Sequence, residues 1–152
     1  MPPSRKRSTV ARPAVGWREW VGLPDLGIER IKAKVDTGAR TSALHAVRIR
    51  RERIDGIDVV RFDVHPLQRS ARSLVRCQLP LVDERHVRSS DGQRELRPVV
   101  ETLVQLGDET WGIELTLTNR ALMGFRLLLG RRALRRKFVV DPGRSWIRSE
   151  RK

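Results

Sequence analysis

The chain has a single cysteine, Cys77, no tyrosine, and only 18 acidic residues against 32 Lys and Arg in its 152 positions. One thiol forms no intramolecular disulfide. With His45, His65 and His86 spread about twenty positions apart, it supplies no cysteine-rich metal site either. Disulfide-stapled and zinc-finger folds are therefore excluded. No apolar run approaches the ~20 residues of a membrane-spanning helix, and the cationic N-terminus lacks the apolar stretch of a secretory signal. The expectation is a cytoplasmic protein with no membrane contact. Missing too are His-Glu-x-x-His, Gly-x-x-x-x-Gly-Lys-Ser/Thr, Gly-x-Ser-x-Gly and Gly-x-Gly-x-x-Gly. Zincin, P-loop ATPase, serine-hydrolase and dinucleotide-binding chemistry have no motif to rest on, and no metal or cofactor is expected.

What the chain does have is a net charge of +14 alongside 39% hydrophobic residues. That combination describes a folded, strongly basic domain, and the length fits a single core. Only Lys6, Lys32, Lys34, Lys137 and Lys152 are lysines; the other 27 cations are arginines, whose planar fork suits carboxylate and phosphate. Many sit at alternate positions of strand-like runs such as Val47-Arg48-Ile49-Arg50, where a solvated outer sheet face accounts for them. A surface this basic also attracts acidic peptides, RNA or ribosomes in a salt-dependent way.

Residues 1–14 hold three prolines and Arg5-Lys6-Arg7 with little apolar content, and read as a disordered basic leader. The folded domain is expected over residues 15–148, with 149–152 as a tail. Within it the pattern is short period-2 segments broken by turn residues. Strands are expected at 16–23, 28–35, 42–49, 59–65, 74–82, 99–106 and 110–117, an apolar run at 125–129, a short helix at 131–136, and closing strands at 138–140 and 146–147. Ser89-Ser90-Asp91-Gly92 reads as the tip of a polar, mobile hairpin.

The second of these elements ends in Val35-Asp36-Thr37-Gly38-Ala39, a carboxylate on a tight turn after an apolar strand. Turn chemistry alone explains such a triplet, since Asp caps turns and Gly admits a positive φ. A functional reading makes Asp36 the reacting carboxylate, has Thr37 fix the loop through its hydroxyl, and has Gly38 bring backbone N–H groups close. The surroundings add Gly16-Trp17-Arg18-Glu19-Trp20-Val21, the run from Ile31 through Arg40-Thr41-Ser42-Ala43-Leu44-His45, and Arg97-Pro98-Val99-Val100-Glu101-Thr102. Leu117-Thr118-Asn119-Arg120, Met123-Gly124-Phe125-Arg126 and Leu127-Leu128-Leu129-Gly130-Arg131 follow. Over residues 15–147 this ensemble is similar to the retropepsin-like aspartic peptidases, most closely the bacterial RimB-like family, which also carries the label ATP-dependent zinc protease.

The resemblance implies a mostly β fold, a closed acid-protease (retropepsin-like) barrel with one short helix and one lobe per chain. It implies Asp36, Thr37 and Gly38 as catalytic residues, with the Leu-Leu-Gly-Arg segment packed behind their loop. Because the chemistry needs two carboxylates sharing one proton and the chain has one Asp-Thr-Gly, a homodimer is implied. Zinc and ATP are not carried over, for want of motifs. Two departures stand out. Arg40 occupies a position where retroviral enzymes usually have an acidic residue, which favours anionic substrates, and Ala121 stands where relatives often have an acid. Peptide contacts are expected from Ala39, Arg40, Arg88, Ser89, Ser90, Asp91, Gly92, Arg94 and Arg97, with the hairpin as a flap. Relatives resemble components of systems with RimK-type ATP-grasp ligases, which add glutamates to a ribosomal protein, so a glutamate-tailed peptide is the expected substrate. The alternative is a non-catalytic basic module that binds RNA, the ribosome or a RimK-type ligase. An RNA-binding sheet would want aromatic platforms, whereas Trp17, Trp20, Trp111 and Trp146 are expected as core fillers.

Overall fold

The computed structural model describes residues 11–67, 73–89 and 91–149, so most of the proposed leader, Ser90 and the last three residues lie outside the described part. The structure is mostly β. Its strands are β1 (Ala14–Gly16), β2 (Arg18–Leu23), β3 (Ile28–Val35), β4 (Ser42–His45), β5 (Val47–Ile54), β6 (Ile57–Val64) and β7 (Val75–Pro80). They continue as β8 (Asp83–Arg88), β9 (Arg94–Leu106), β10 (Glu109–Thr118), β11 (Leu127–Leu129) and β12 (Val139–Asp141), with the helix α1 (Arg131–Leu134) between the last two. Among the described residues no helix is long and apolar enough to cross a membrane.

Period-2 patterning does what it should. In β9, Val100, Thr102, Val104 and Leu106 are buried while Glu101, Leu103 and Gln105 are exposed. In β3, Ile31, Ala33 and Val35 face the core and lysines alternate with them. The pairings run in a ring: β10 pairs with β4, β4 with β11, β11 with β3, β3 with β2, β2 with β9 at Gly22 and Gln105, and β9 with β10 again. Leu23, Ile31, Leu44, Leu106, Leu115, Leu117, Leu127 and Leu129 fill it, each at most 1% exposed. Fully burying one such side chain is worth about 1.5–3 kcal/mol. A three-stranded sheet of β5, β6 and β7 packs Val60, Phe62 and Val64 into the same core.

Several elements differ from the expected pattern. The strand expected at 16–23 breaks at Trp17, because Gly16 N–H turns to donate to Glu19 Oε2 (2.7 Å) and Trp17 N–H to the Arg144 carbonyl (2.9 Å). The strand expected at 42–49 divides at buried Ala46 between the ring and the outer sheet, Ala46 N–H still reaching the Thr118 carbonyl at 2.9 Å. Residues 146–147 form no strand; they wrap around Glu19. Ala14, placed in the leader by composition, opens β1, which pairs in parallel with β12. The tryptophans are not all core fillers: Trp111 is buried, whereas Trp20 and Trp146 are half-buried and stacked at 5.8 Å, with Arg18 4.9 Å above the Trp146 ring.

Glu19 is wholly buried, and its carboxylate accepts from Gly16 N–H (2.7 Å), Ile147 N–H (2.9 Å), Arg148 N–H (3.1 Å) and Ser149 O–H (2.7 Å). One anion thereby ties the N-terminal strands to the C-terminal segment, with several otherwise orphaned donors satisfied together. Glu19→Ala strands those donors, and the expected loss is about 3–5 kcal/mol. Urea unfolding checks it, and a shift under 1 kcal/mol would show that the clamp is dispensable.

Candidate active site

Strand β3 runs out of the core at Val35 and delivers Asp36 to a loop, residues 36–41, that is stitched to the start of α1. Asp36 N–H donates to the Leu129 carbonyl (2.9 Å), Ala39 N–H to the Asp36 carbonyl (3.1 Å), Arg131 N–H to the Ala39 carbonyl (2.8 Å) and Arg132 N–H to the Arg40 carbonyl (3.2 Å). Gly130 lies between these partners. A Cβ there would sit 2.5 Å from the Thr41 carbonyl oxygen and 2.9 Å from that of Ala39, so the backbones meet only because the residue is glycine. Its own N–H donates to buried Ser42 Oγ at 3.0 Å. Trp111 Nε1–H donates to the Ala133 carbonyl at 2.9 Å, which holds α1 against β10.

Asp36 is half-buried, and Gly38 N–H donates to its Oδ1 at 3.0 Å. Thr37 differs from its expected part: among the described residues its hydroxyl has no partner, and the loop is braced through its carbonyl, which accepts from Arg131 Nη1 at 3.1 Å, as does that of Gly38 at 3.3 Å. Asp36 and Gly38 face a cleft of about 860 Å³, within the ordinary range for ligand sites.

Of the residues singled out for peptide contact, Ala39, Arg40, Arg88, Ser89, Asp91 and Arg97 line this cleft together with Asp36. Gly92 and Arg94 do not. Gly92, at φ 87°, closes the hairpin turn and donates to the Ser89 carbonyl (2.9 Å), while Arg94 lies opposite Arg88 in the β8–β9 register. Ser90 falls outside the described residues. Asp91 accepts from Ser89 O–H and from Gln93 N–H, and these bonds hold its carboxyl below the usual aspartate range.

Arg97 is no exposed flap cation. It is 5% exposed, with Nε on Glu95 Oε1 (2.7 Å) and Nη1 on Thr116 Oγ1 (3.4 Å). Thr116 O–H donates in turn to the Ser42 carbonyl (3.1 Å), so a polar chain connects the hairpin stem to the residue that holds Gly130. Burial on its own would raise the Glu95 carboxyl. Hydrogen bonds from Thr118 (2.8 Å) and Arg97, with the charges of Arg97 and Arg120, outweigh it and hold the group below its ordinary range.

Sequence reasoning missed the far wall: Arg85, Arg120, Leu122 and Met123 also line the cleft, over an apolar floor of Ala43 and Leu128. No local signal marks them, because they come from three separate strands and a loop. Arg85 is held by Glu114 (3.0 Å) and Asp83 (3.1 Å), and Arg120 by Glu95 (3.5 Å). Arg40 and Arg88 have no carboxylate partner among the described residues, which leaves two guanidinium groups open to an anionic ligand. Among the described residues no group of three or more His, Cys, Asp and Glu could hold a metal. Burial, and then the Asp63 carboxylate, push the Cys77 thiol up to about 11, so it does not ionise near neutral pH.

A family model described as RimB-like, retropepsin-like aspartic endopeptidase RimB, matches residues 14–151. Among curated proteins, a probable alpha-L-glutamate ligase of Shewanella pealeana is 47% identical over 137 residues, 90% of this chain and 30% of its own length. A like-named protein of Desulfotalea psychrophila is 47% identical over 133 residues, 88% of this chain and 29% of its own length. The chain thus spans about 30% of the curated relatives it matches. Among solved structures, the crystal structure of a Legionella pneumophila protein of unknown function superposes with a TM-score of 0.71 at 32% identity, covering 89% of this chain and 97% of that one.

Two outcomes are expected. Gly130 has φ −86° and ψ 177°, which any residue adopts, so Gly130→Ala acts by collision alone; it should cost about 1–3 kcal/mol and move amide resonances at residues 36–41. Unchanged resonances there would show that the loop does not depend on the contact. Because the Glu95 carboxyl is lowered by folding, its contribution is present above the ordinary glutamate range and is lost as pH falls through the lowered value. The protection of β8 and the adjoining part of β9 against hydrogen exchange, taken relative to the intrinsic rate at each pH, should therefore fall on acidification in wild type, and a Glu95→Gln variant should lack that step.

Proposed function

The chain belongs to the RimB-like family of retropepsin-like aspartic endopeptidases, and from that membership we propose that it hydrolyses peptide bonds as a homodimer with one Asp36 from each subunit. In this reading the ring of strand pairings is the acid-protease barrel, and the 36–41 loops meet across a two-fold axis. The observation that carries the proposal is Asp36 itself, held by Gly38 N–H on a loop locked to Gly130 and facing a cleft bordered by the β8–β9 hairpin.

With two carboxylates sharing one proton, the ionised Asp36 takes a proton from water as its oxygen attacks the amide carbon. The protonated Asp36 of the partner subunit gives its proton to the carbonyl oxygen. The tetrahedral diol then collapses: one hydroxyl gives its proton to the carboxylate of the partner's Asp36, Asp36 passes the proton it took from water to the amide nitrogen, and the C–N bond breaks. Ala39, Arg40 and the hairpin residues Arg88, Ser89 and Asp91 contact the peptide, while Arg97 fixes the hairpin stem from beneath.

The substrate is an acidic peptide, with a glutamate-tailed chain the preferred form. What supports this is the pair Arg40 and Arg88, which have no carboxylate partner among the described residues, and the name alpha-L-glutamate ligase carried by relatives that contain a matching segment. A RimK-type ligase, or a ribosomal protein that it extends, is the fitting partner in the cytoplasm. Each exposed charge pair contributes only about 0–1 kcal/mol, so affinity comes from several at once and falls with salt.

Peptides with C-terminal oligoglutamate and their glutamine counterparts separate the parts of this reading. Wild type should cleave the glutamate form faster at low salt, with the advantage shrinking at high salt and in Arg40→Ala. Asp36→Asn should lose about 10²–10⁴-fold in turnover, and mixed with wild type it should depress activity below simple dilution. Full turnover by Asp36→Asn removes the catalytic assignment. Tight binding with no hydrolysis by wild type leaves the non-catalytic module instead.

A further inference from the structure

Tryptophan rings and cations alternate along the outer face of β2 and β3. Arg18 lies between two rings, 4.6 Å from the Trp17 centroid and 4.9 Å from that of Trp146. Trp146 stacks on Trp20 at 5.8 Å, and the Arg30 guanidinium lies 4.1 Å over Trp20. The order is therefore Trp17, Arg18, Trp146, Trp20, Arg30, with every member half-buried. Lys32 and Lys34 stand opposite Trp20 and Arg18 in the strand register and extend the row. Arg18, Arg30, Lys32 and Lys34 form no ion pair among the described residues, in contrast to Arg51, Arg61 and Arg85. Trp20 and Arg30 border a depression of about 260 Å³, which Glu29, Gln105 and Ser149 also line.

Seating Trp146 on Trp20 closes the C-terminal segment over β2, which accounts for the rings but not for the unpaired cations set around them. Aromatic rings and guanidinium planes are platforms for nucleobases, and cations beside them meet phosphates. An acidic peptide would engage the cations and leave the planar stack unused. A lipid surface calls for apolar side chains standing clear of the fold, and none of these rings is among the exposed large apolar groups.

We propose that this face binds single-stranded RNA, with one base against the Arg30 and Trp20 pair in the depression and phosphates on Lys32 and Lys34. Glu29, the one carboxylate lining the depression, accepts from a ribose 2′-hydroxyl, the group that separates RNA from DNA. The row runs away from the 36–41 loop. Arg30 is six residues before Asp36, about 20 Å along an extended strand, so this end of the face lies clear of the loops that meet in the dimer. The proposal does not depend on the peptidase reading.

The test uses the full chain and the fluorescence anisotropy of a labelled ten-nucleotide RNA of mixed sequence. Its comparisons are the same sequence as DNA, a base-free ribose-phosphate strand of equal length, octaglutamate, and phosphatidylglycerol vesicles. Arg30→Gln together with Lys32→Gln should weaken RNA binding about tenfold and flatten its salt dependence. Arg50→Gln with Arg76→Gln removes the same charge from exposed positions on β5 and β7, and should change affinity by less than about twofold. Thermal melts verify that both pairs fold. Wild type should hold RNA more tightly than DNA or the base-free strand. RNA should also quench the tryptophan emission of wild type, which the base-free strand should leave unchanged, and this readout needs no variant. Equal losses from the two pairs would reduce the effect to general charge and overturn the proposal. So would a base-free strand or DNA bound as tightly as RNA, or displacement of RNA by octaglutamate or the vesicles at matched charge.

Discussion

Gly130 lies against the carbonyls of Ala39 and Thr41 with no space for a methyl group, and the geometry around Asp36 follows from that approach. The loop and the start of α1 share their backbone hydrogen bonds, Asp36 to Leu129 on one side and Arg131 to Ala39 on the other, so neither segment can shift alone. Neighbouring β3 and β11 run in parallel and both end at this point, which directs their two chain exits toward each other. A carboxylate on an exposed turn would ordinarily be mobile. Here it is fixed by main-chain bonds on both flanks and by Gly38 N–H at its own oxygen, the kind of preorganisation that acid–base chemistry on water requires.

The same loop is coupled to the hairpin across the cleft by buried polar groups. Arg97, Glu95, Thr116, Thr118 and Ser42 form a connected set in which each charge meets an opposite charge or a hydroxyl. Buried ion pairs add little net stability, because desolvation offsets their attraction, but they do penalise any arrangement that leaves one member alone. The set therefore acts on geometry, fixing the stem of β8 and β9 relative to Asp36.

The net charge of +14 is divided between two uses. Arg51, Arg53, Arg61, Arg85, Arg97 and Arg120 meet carboxylates of the chain itself. Those bordering the Asp36 loop, Arg40, Arg88, Arg132 and Arg135, meet none among the described residues. Composition reports the excess but not its placement, and placement turns a generally basic surface into one with unpaired guanidinium groups gathered at a cleft.

Period-2 alternation in β3 and β9, the turn residues and the Asp-Thr-Gly and Leu-Leu-Gly-Arg segments were enough to anticipate a mostly β domain with Asp36 on a loop and a short helix after Gly130. These are local properties: a strand's buried face and a turn's glycine depend on neighbours a few residues away. The break at Ala46, the Glu19 clamp, the burial of Arg97 and the far wall of Arg85 and Arg120 were not legible. Each depends on which distant segment arrives alongside. Glu19 looks like any strand-exposed acid until the backbone N–H groups of Ile147 and Arg148 and the Ser149 hydroxyl fold onto it, and Arg97 looks like a surface cation until Glu95 and Thr116 enclose it. The sequence by itself determined the alternating strands such as β3 and β9 and where a reactive carboxylate could stand. Tertiary structure alone decided which charges are neutralised and which stay open, because pairing is set by distances between residues far apart in the chain, and those distances exist only once the ring of strands has formed.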